Sequence, residues 1–365
     1  MSGIAWVRGY IQTAMARNDT GRIAVALSGG VDSAVTARLL LEAGRAVAGI
    51  TFRVGHGAPP PEAAVAVAAR LGIPHHVVDL AETFAREVLE PFIAGYARGE
   101  TPSPCALCNP RIKFGALLSA ARDLGCGQLA TGHYVRAGTD ADGRHRLFRG
   151  ADPDKDQSYF LFGLSQEQLA LARFPLGAMR KADVRRLGSD WGLVSHDKPE
   201  SQDLCFLPDG DYARLVAERH PEAVRPGEIV DGCGRVLGRH RGGCRYTPGQ
   251  RRGLGLAGGP WYVVAVRPAS NTVVVGTVEE ASTARVCVTG VNWQGTPPAA
   301  GVTEEVAAQL RYRMCPVSAR LTVDGAGDVE LALAAPVLGV AAGQAAVWYA
   351  GDALLGGGWI VGQPR

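Results

Sequence analysis

The order of apolar and polar residues divides the chain at about residue 207. Before this point, four short runs predict strands, at residues 22–27, 46–52, 76–80 and 128–131, and the first of them is expected to be buried. Four longer segments with helical periodicity alternate with them, at residues 33–43, 61–71, 81–97 and 111–124. Strands that alternate with helices predict a parallel, doubly wound α/β sheet. Such sheets bind ligands at the carboxyl ends of their strands.

After residue 207 the helical periodicity gives way to short β-like runs, at residues 261–266, 272–275, 286–288, 317–323, 329–333 and 345–350. The 365 residues are too many for one ordinary hydrophobic core. We therefore expect three domains. The α/β sheet would occupy residues 1–207, a small α+β domain residues 208–280, and a C-terminal β-barrel residues 281–365.

Composition favours a globular protein without a membrane segment. Hydrophobic residues make up 47% of the chain and charged residues 20%, which is ordinary for such proteins. No apolar run approaches the roughly 18 residues of a membrane span. Residues 1–20 lack the pattern of a signal peptide. We therefore expect a cytoplasmic protein with no membrane partner.

Positive charge is concentrated in one segment, although the net charge is only +3. Residues 234–252 contain six arginines and one histidine but no acidic residue. Such a run is either a solvated face or a surface that contacts a nucleic-acid backbone. The composition alone leaves both interpretations open.

The segment Ser28–Ser33 has the pattern of a phosphate-binding loop, because it follows a predicted buried strand and precedes a predicted helix. Two glycines let the backbone approach a phosphate closely. Successive N–H groups and the helix N-terminus favour an anion. Asp32 cannot pair with phosphate directly, so we expect Mg²⁺ between them. The loop predicts an ATP site.

Two of the eight cysteines form a Cys-x-x-Cys pair, Cys105 and Cys108, in a predicted loop before the helix at 111–124. A helix N-terminus and the basic neighbours Arg111 and Lys113 would lower a thiol pKa there. The pair could also be half of a zinc site, but no second pair has zinc-like spacing. Cys205 follows polar residues and is expected to be accessible. We interpret the others as packed thiols: Cys126, Cys233, Cys244, Cys287 and Cys315.

The loop at 28–33 resembles the PP-loop of the N-type ATP pyrophosphatases. These enzymes cleave ATP between the α- and β-phosphates and pass AMP to a substrate oxygen, which a nucleophile then displaces. Further motifs resemble the MnmA-type tRNA-specific 2-thiouridylases, at residues 101–114, 130–134, 154–160, 200–206, 247–255, 311–313 and 343–344. The second resemblance covers nearly the whole chain. It implies ATP-dependent 2-thiolation of the wobble uridine of tRNA. A cysteine desulfurase or a sulfur-relay protein would be the sulfur source.

The resemblance also implies roles for individual residues. Cys108 would be the nucleophile and Cys205 the persulfide carrier, and the two would form a disulfide when sulfur is handed over. Asp32 would act on Mg²⁺ indirectly. The residues implied in ATP binding are Ala26, Leu27, Ser28, Gly29, Gly30, Val31, Asp32, Ser33, Phe52 and Gly132. Those implied in tRNA binding are Ser103, Pro104, Cys105, His133, Lys155, Asp156, Gln157, Arg311, Tyr312 and Gln344.

The chain departs from the family pattern at two places. Many members have aspartate where this chain has Cys105. If that aspartate serves as a proton shuttle, Cys105 could take its role only with a lowered pKa. Cys105, Cys108 and Cys205 could instead hold an iron–sulfur cluster. The segment after the second strand, beginning at Phe52, also differs from the family and is shorter.

Two other functions stay open: a PP-loop synthetase or amidotransferase that uses ammonia on a small molecule, and a non-catalytic tRNA-binding module with an ATP-sensing loop.

Overall fold

A computed structural model describes residues 21–55, 61–193, 204–207 and 209–362. The motif residues 200–203 therefore lie outside the described residues. The chain forms two compact units. Of the described residues, the first unit contains 21–55, 61–87, 105–193, 204–207 and 352–354, and the second contains 88–104, 209–351 and 355–362. The predicted domain boundaries at 207 and 280 stay a prediction.

The strands and helices of the first unit follow the predicted alternation. Its strands are β1 (Arg22–Ala26), β2 (Val47–Arg53), β3 (His75–Asp79), β4 (Cys126–Ala130), β5 (Val135–Thr139), β6 (His145–Arg149) and β7 (Ala172–Arg173). The α-helices between residues 21 and 193 are α1 (Val31–Glu42), α2 (Glu62–Leu71), α3 (Ala81–Phe84), α4 (Glu90–Ala97), α5 (Pro104–Cys108), α6 (Leu118–Asp123), α7 (Gln166–Leu171) and α8 (Lys181–Asp190). Of these, α4 belongs to the second unit.

The first unit is built on a five-stranded sheet in the order β3-β2-β1-β4-β7. The described pairings β1–β2, β1–β4, β2–β3 and β4–β7 are all parallel, which confirms the predicted fold class. The chain leaves β1 towards β2 and β3 and returns to β4 on the other side of β1. The carboxyl ends of β1 and β4 therefore form a switch point, which is where open α/β sheets bind ligands.

The predicted loop before the helix at 111–124 extends from residue 98 only to residue 103, because helix α5 begins at Pro104 and contains both Cys105 and Cys108. A wider, π-helical segment follows at Asn109–Leu117 and leads into α6. Proline suits the first turn of a helix, where its missing N–H is not needed. Pro110 stands at the start of the π-helical segment, where local widening accommodates an irregular hydrogen-bond pattern. Neither proline therefore interrupts the helix.

The second unit contains one further α-helix, α9 (Tyr212–Arg219), and two β-structures. The four-stranded sheet has the order β10-β11-β8-β9. Its strands are β8 (Gly227–Val230), β9 (Val236–His240), β10 (Tyr262–Arg267) and β11 (Thr272–Gly276). Together with α9 it forms the predicted α+β region.

Six longer strands form the predicted C-terminal barrel, in the order β12-β15-β14-β13-β16-β17, and a β12–β17 pairing closes it. These strands are β12 (Ser282–Trp293), β13 (Thr303–Gln309), β14 (Val317–Val323), β15 (Val329–Leu338), β16 (Ala345–Ala350) and β17 (Ala353–Ile360). Trp348 is fully buried in its core. Across the described parts of the chain, we find no helix with the length and apolar character that a membrane crossing requires.

Candidate active site

The loop Ser28–Ser33 leaves β1 and enters α1 through a small set of internal hydrogen bonds. The Ser33 hydroxyl donates to the carbonyl oxygen of Gly30 at 3.0 Å and accepts from the backbone N–H of Ser28 at 3.2 Å. The two serine hydroxyl oxygens lie 3.3 Å apart. The loop is therefore closed on itself, and its shape is set before any ligand binds.

Gly29 allows the loop to lie against α2. Its φ of +73° is in the left-handed region, and a β-carbon there would lie 2.4 Å from the β-carbon of Ala63. It would also lie 2.8 Å from the Ala63 backbone carbon. Both the backbone conformation and the available space therefore require glycine.

Gly132 brings the end of β4 against the same loop. A β-carbon at Gly132 would lie 2.9 Å from that of Asp32 and 3.1 Å from the backbone nitrogen of Ser33. The structure thus places two predicted ATP-site segments, from β1 and β4, in direct contact at the switch point. Phe52, at the end of β2, is half-buried.

Asp32 has a basic partner that the sequence did not reveal. The ammonium of Lys181 donates to both carboxylate oxygens of Asp32 at 2.7 Å, and the Tyr134 hydroxyl donates to Oδ1 at 2.7 Å. Lys181 is remote from the loop in sequence, and no local motif marks it. The fold brings it there because α8 packs against α1.

A magnesium ion at Asp32 would need ligands from outside the protein. The described residues include no group of three histidine, cysteine, aspartate or glutamate side chains placed to hold a metal. One carboxylate can hold Mg²⁺ when phosphates and waters complete its octahedron. Asp32 fits that role once its oxygens are released from Lys181 and Tyr134.

The three cysteines of the predicted site lie in the first unit and differ in exposure. Cys108 is buried, whereas Cys105 and Cys205 are exposed, and all three are free. Burial raises the pKa of Cys108 to about 12, an effect that Lys113 opposes and that repulsion from Cys205 and Cys105 reinforces. Surrounding protein also raises the pKa of Cys105 and of Cys205, again with Lys113 opposing it. The expectation of lowered thiol pKa values is therefore wrong for this state, because desolvation outweighs the nearby positive charge.

Lys113 is held by a buried histidine. Its ammonium lies 3.2 Å from Nε2 of His133, and Nδ1 of His133 lies 2.7 Å from the Thr131 hydroxyl. Burial, with a smaller contribution from Lys113, keeps the pKa of His133 well below its ordinary value. A neutral ring must accept from Lys113 through Nε2, so its proton is on Nδ1 and is donated to Thr131. Its predicted contact with tRNA stays a prediction and would require this arrangement to open.

The described residues do not favour the iron–sulfur alternative. The charges of Cys105, Cys108 and Cys205 influence one another's pKa, so the thiols share one neighbourhood. They nevertheless do not form a group placed to ligate a metal. We therefore assign no step of the chemistry to a cluster.

Two of the predicted tRNA-binding residues of the first unit have internal hydrogen bonds that hold the chain. The Asp156 carboxylate accepts from the backbone N–H groups of Gly150 and Ser158 and from the Arg149 side chain. The Gln157 side chain accepts from the backbone N–H of Tyr134 at 3.0 Å. Lys155 is half-buried. A direct role of these residues in tRNA binding stays a prediction.

The remaining predicted tRNA contacts lie in the second unit, except Cys105. Gln344 donates to the carbonyl oxygen of Thr101 at 2.6 Å and thereby holds the segment that leads to Ser103 and Pro104, both of which are buried. Arg311 is exposed and donates to the carbonyl oxygen of Leu338 at 3.1 Å, while Tyr312 is half-buried.

Three family profiles match the chain consecutively: a tRNA methyl transferase HUP domain at residues 21–209, a tRNA methyl transferase PRC-barrel domain at 215–277, and an aminomethyltransferase beta-barrel domain at 283–360. A tRNA-specific 2-thiouridylase MnmA from Synechococcus sp. (strain JA-2-3B'a(2-13)) is 50% identical over 92% of this chain and 93% of the relative. The MnmA of Rhodospirillum centenum is 47% identical over 93% and 91%. The chain belongs to the MnmA family of tRNA-specific 2-thiouridylases.

Among solved structures, the U34-tRNA thiolase NcsA from Methanococcus maripaludis with its 4Fe-4S cluster is similar to this MnmA-family chain, at 21% identity and a TM-score of 0.37. The match covers 60% of this chain and 74% of that chain. A likeness of this extent carries no argument about the cysteines.

The positive charge of Lys113 gives a prediction for the thiols of this MnmA-family member. Because Lys113 lowers the pKa of Cys205, Lys113→Met should raise it, and the thiolate fraction at any pH below the pKa should fall. A rise of one in the pKa lowers the thiolate fraction about tenfold. We expect iodoacetamide to alkylate Cys205 about three- to tenfold more slowly, with the pH profile displaced to higher pH. Peptide mass spectrometry measures this rate.

The matched control is Arg111→Met. Arg111 lies in the same π-helical segment, is exposed, and pairs with Glu87 at 3.2 Å. Its replacement should leave the alkylation rate of Cys205 within about twofold, since exposed ion pairs contribute little. Equal slowing by both variants would show that Lys113 has no specific effect on the thiols.

Proposed function

We propose that this protein uses ATP to convert the wobble uridine of tRNA to 2-thiouridine. The single observation that carries the proposal is that Cys108 and Cys205 both experience the positive charge of Lys113, which opposes the rise in their pKa. They lie in the same unit as the loop Ser28–Ser33. A PP-loop enzyme that transfers ammonia would not need this pair of thiols. Names of relatives that are half identical over nearly the whole chain support the same activity.

The first step activates the uracil. O2 of the base attacks the α-phosphorus of ATP, so that an O–P bond forms and pyrophosphate leaves. The loop N–H groups and Mg²⁺ at Asp32 would neutralise the departing pyrophosphate. The oxygen on C2 is a poor leaving group by itself. Once it is bonded to the α-phosphorus, it can leave as part of AMP.

The second step replaces oxygen by sulfur. The terminal sulfur of a persulfide on Cys205 attacks C2, the C2–O bond breaks, and AMP leaves. The Cys108 thiolate then attacks the Cys205 sulfur, which releases 2-thiouridine and leaves a Cys108–Cys205 disulfide. Alternatively, Cys108 first releases hydrosulfide from Cys205, and hydrosulfide displaces AMP. Both routes require a thiol reductant to restore the cysteines.

The high pKa of the free thiols is compatible with this chemistry. At neutral pH, Cys108 stays protonated until it loses its proton within the site, which limits unwanted oxidation. A persulfide on Cys205 would be more acidic than its thiol, so its terminal sulfur is the nucleophile that is available first. Cys105, with its raised pKa, is a proton donor rather than a base in this state.

For tRNA, we propose that the arginine-rich segment 234–252 binds the phosphate backbone. All six of its arginines are exposed. Arg235 pairs with Asp231 and Arg245 with Asp211, while Arg239, Arg241, Arg251 and Arg252 have no acidic partner among the described residues. Unpaired exposed guanidinium groups are suited to phosphate contacts. The wobble base is unpaired in the anticodon loop, so it can be turned towards the cysteines at moderate cost.

A reconstituted reaction tests the proposed function. The protein is incubated with Mg·ATP, unmodified tRNA that carries a wobble uridine, and a cysteine desulfurase with cysteine as sulfur source. We expect 2-thiouridine in the digested tRNA, and one AMP for each thiouridine. tRNA with a wobble cytidine is the control and should give neither product. AMP formation that depends on ammonia and a small molecule, without thiouridine, would favour the synthetase alternative.

A further inference from the structure

Lys181 holds a buried ammonium group at the edge of the ATP loop. Its side chain is 10% exposed, whereas that of its partner Asp32 is 34% exposed. The Lys181 backbone N–H, at the start of α8, donates to the Asp152 carboxylate at 2.8 Å. The ammonium also lies 5.6 Å from the ring centroid of Tyr134. The lysine is therefore fixed from both its backbone and its side chain.

Asp32, the partner of Lys181, is also the residue that we expect to hold Mg²⁺ during the reaction with ATP. Asp32 accepts three hydrogen bonds of 2.7 Å, two from Lys181 and one from Tyr134. A carboxylate oxygen that ligates Mg²⁺ cannot keep a short hydrogen bond to an ammonium along the same lone pair. A Mg²⁺ ion on this carboxylate would also repel the Lys181 ammonium, which favours exchange of at least one bond to Asp32 for another acceptor.

The acceptors that arrive with Mg²⁺ are phosphate oxygens. Asp32 is the second residue of α1, so its carboxylate lies beside the helix N-terminus and the loop N–H groups that favour an anion. The Lys181 ammonium, 2.7 Å from that carboxylate, lies at the same end of the helix. Leaving such a desolvated ammonium without an anionic partner would be costly, which favours transfer to the phosphate.

We propose that Lys181 is a catalytic residue that binds the β- and γ-phosphates of ATP, and that Asp32 neutralises it until Mg·ATP enters. This proposal rests on the proposed ATP-dependent function. With Mg·ATP bound, Asp32 would hold Mg²⁺ and Lys181 would donate to a phosphate oxygen. Because the pyrophosphate gains charge as its bond to the α-phosphorus breaks, the Lys181 contact strengthens during the reaction and promotes adenylation.

Titration calorimetry with Mg·ATP and with AMP tests the proposal on the full chain, without tRNA or a sulfur donor. Lys181→Met should weaken Mg·ATP binding by about tenfold to a hundredfold, the effect of losing a charged hydrogen bond. AMP binding should change by less than about threefold, because AMP lacks the two outer phosphates. Arg186→Met is the matched control, since Arg186 is exposed on the same helix and pairs with Asp183. It should leave both affinities unchanged.

Asp32→Asn distinguishes this role from a structural one. If Lys181 serves only to neutralise Asp32, Lys181→Met should have no effect on Mg·ATP binding in the Asp32→Asn background, and the proposal is overturned. If Lys181 binds phosphate, the same loss should persist in that background. Equal weakening of ATP and AMP binding would overturn the assignment to the outer phosphates. Melting temperatures confirm that each variant is folded. Failure of the proposed thiolation would leave these binding results unaffected, so the two failures are distinguishable.

Discussion

Replacing Cys205 by alanine should lower 2-thiouridine formation by about a thousandfold or more, because it removes the sulfur atom on which the proposed persulfide forms. Mg·ATP binding should stay within about twofold, since the phosphate loop joins β1 to α1, lies against the end of β4 and does not include Cys205. Mass spectrometry of the tRNA nucleosides gives the first quantity, and calorimetry gives the second.

Cys108→Ala should fail at a different step, which makes the pair of variants informative. With a desulfurase and labelled cysteine, the Cys108→Ala protein should take up labelled sulfur on Cys205 and retain it. The Cys205→Ala protein should not take up label at the site. Cys315→Ala is the control, because Cys315 is a free, exposed thiol of the second unit. Full thiolation by Cys205→Ala would contradict its assignment as the sulfur carrier.

The parallel sheet could be predicted because its inner strands, β1 and β2, are largely buried. Arg22–Ala26 and Val47–Arg53 are apolar enough to be identified without a partner, and the helices between them have regular periodicity. The loop Ser28–Ser33 could be predicted for the same reason, since its meaning depends only on the strand before it and the helix after it. These are local properties of the sequence.

The electrostatics of the site could not be predicted, because they depend on residues far apart in the chain. A helix N-terminus and two basic neighbours favour a low thiol pKa at Cys108, yet its burial among residues from other elements raises that pKa to about 12. Lys181 joins Asp32 only through the packing of α8 against α1. Neither burial nor such a partner is visible in a short motif.

Motif resemblance also does not distinguish a residue that contacts substrate from one that holds the chain in place. Asp156 and Gln157 belong to a segment that resembles a tRNA-binding motif, yet their side chains accept hydrogen bonds from Gly150, Ser158 and Tyr134. Tyr134 in turn donates to Asp32. In this structure the motif therefore supports the proposed ATP site through Tyr134.

The phosphate loop itself gives the second large prediction, at Gly29. We expect Gly29→Ala to lower the free energy of unfolding by about 3 kcal/mol, combining left-handed backbone strain with overpacking. The β-carbon would lie 2.8 Å from the Ala63 backbone carbon and 2.9 Å from the Ala64 backbone nitrogen, so rotation of a side chain cannot relieve the contact. Urea titration measures the change. Movement of the loop away from α2 would disturb the N–H groups that favour phosphate, so Mg·ATP binding should weaken as well.

Gly44→Ala separates the contribution of backbone strain to the loss of stability from that of overpacking. Gly44 has a φ of +75°, almost the same as Gly29, but no heavy atom lies within 4 Å of its added β-carbon. It should therefore cost only the backbone strain, about 1 kcal/mol, and leave Mg·ATP binding unchanged. Equal losses of stability in the two variants would show that α2 can move away from the loop at little cost in free energy. The close packing of Gly29 against Ala63 would then not be what fixes the shape of the ATP site.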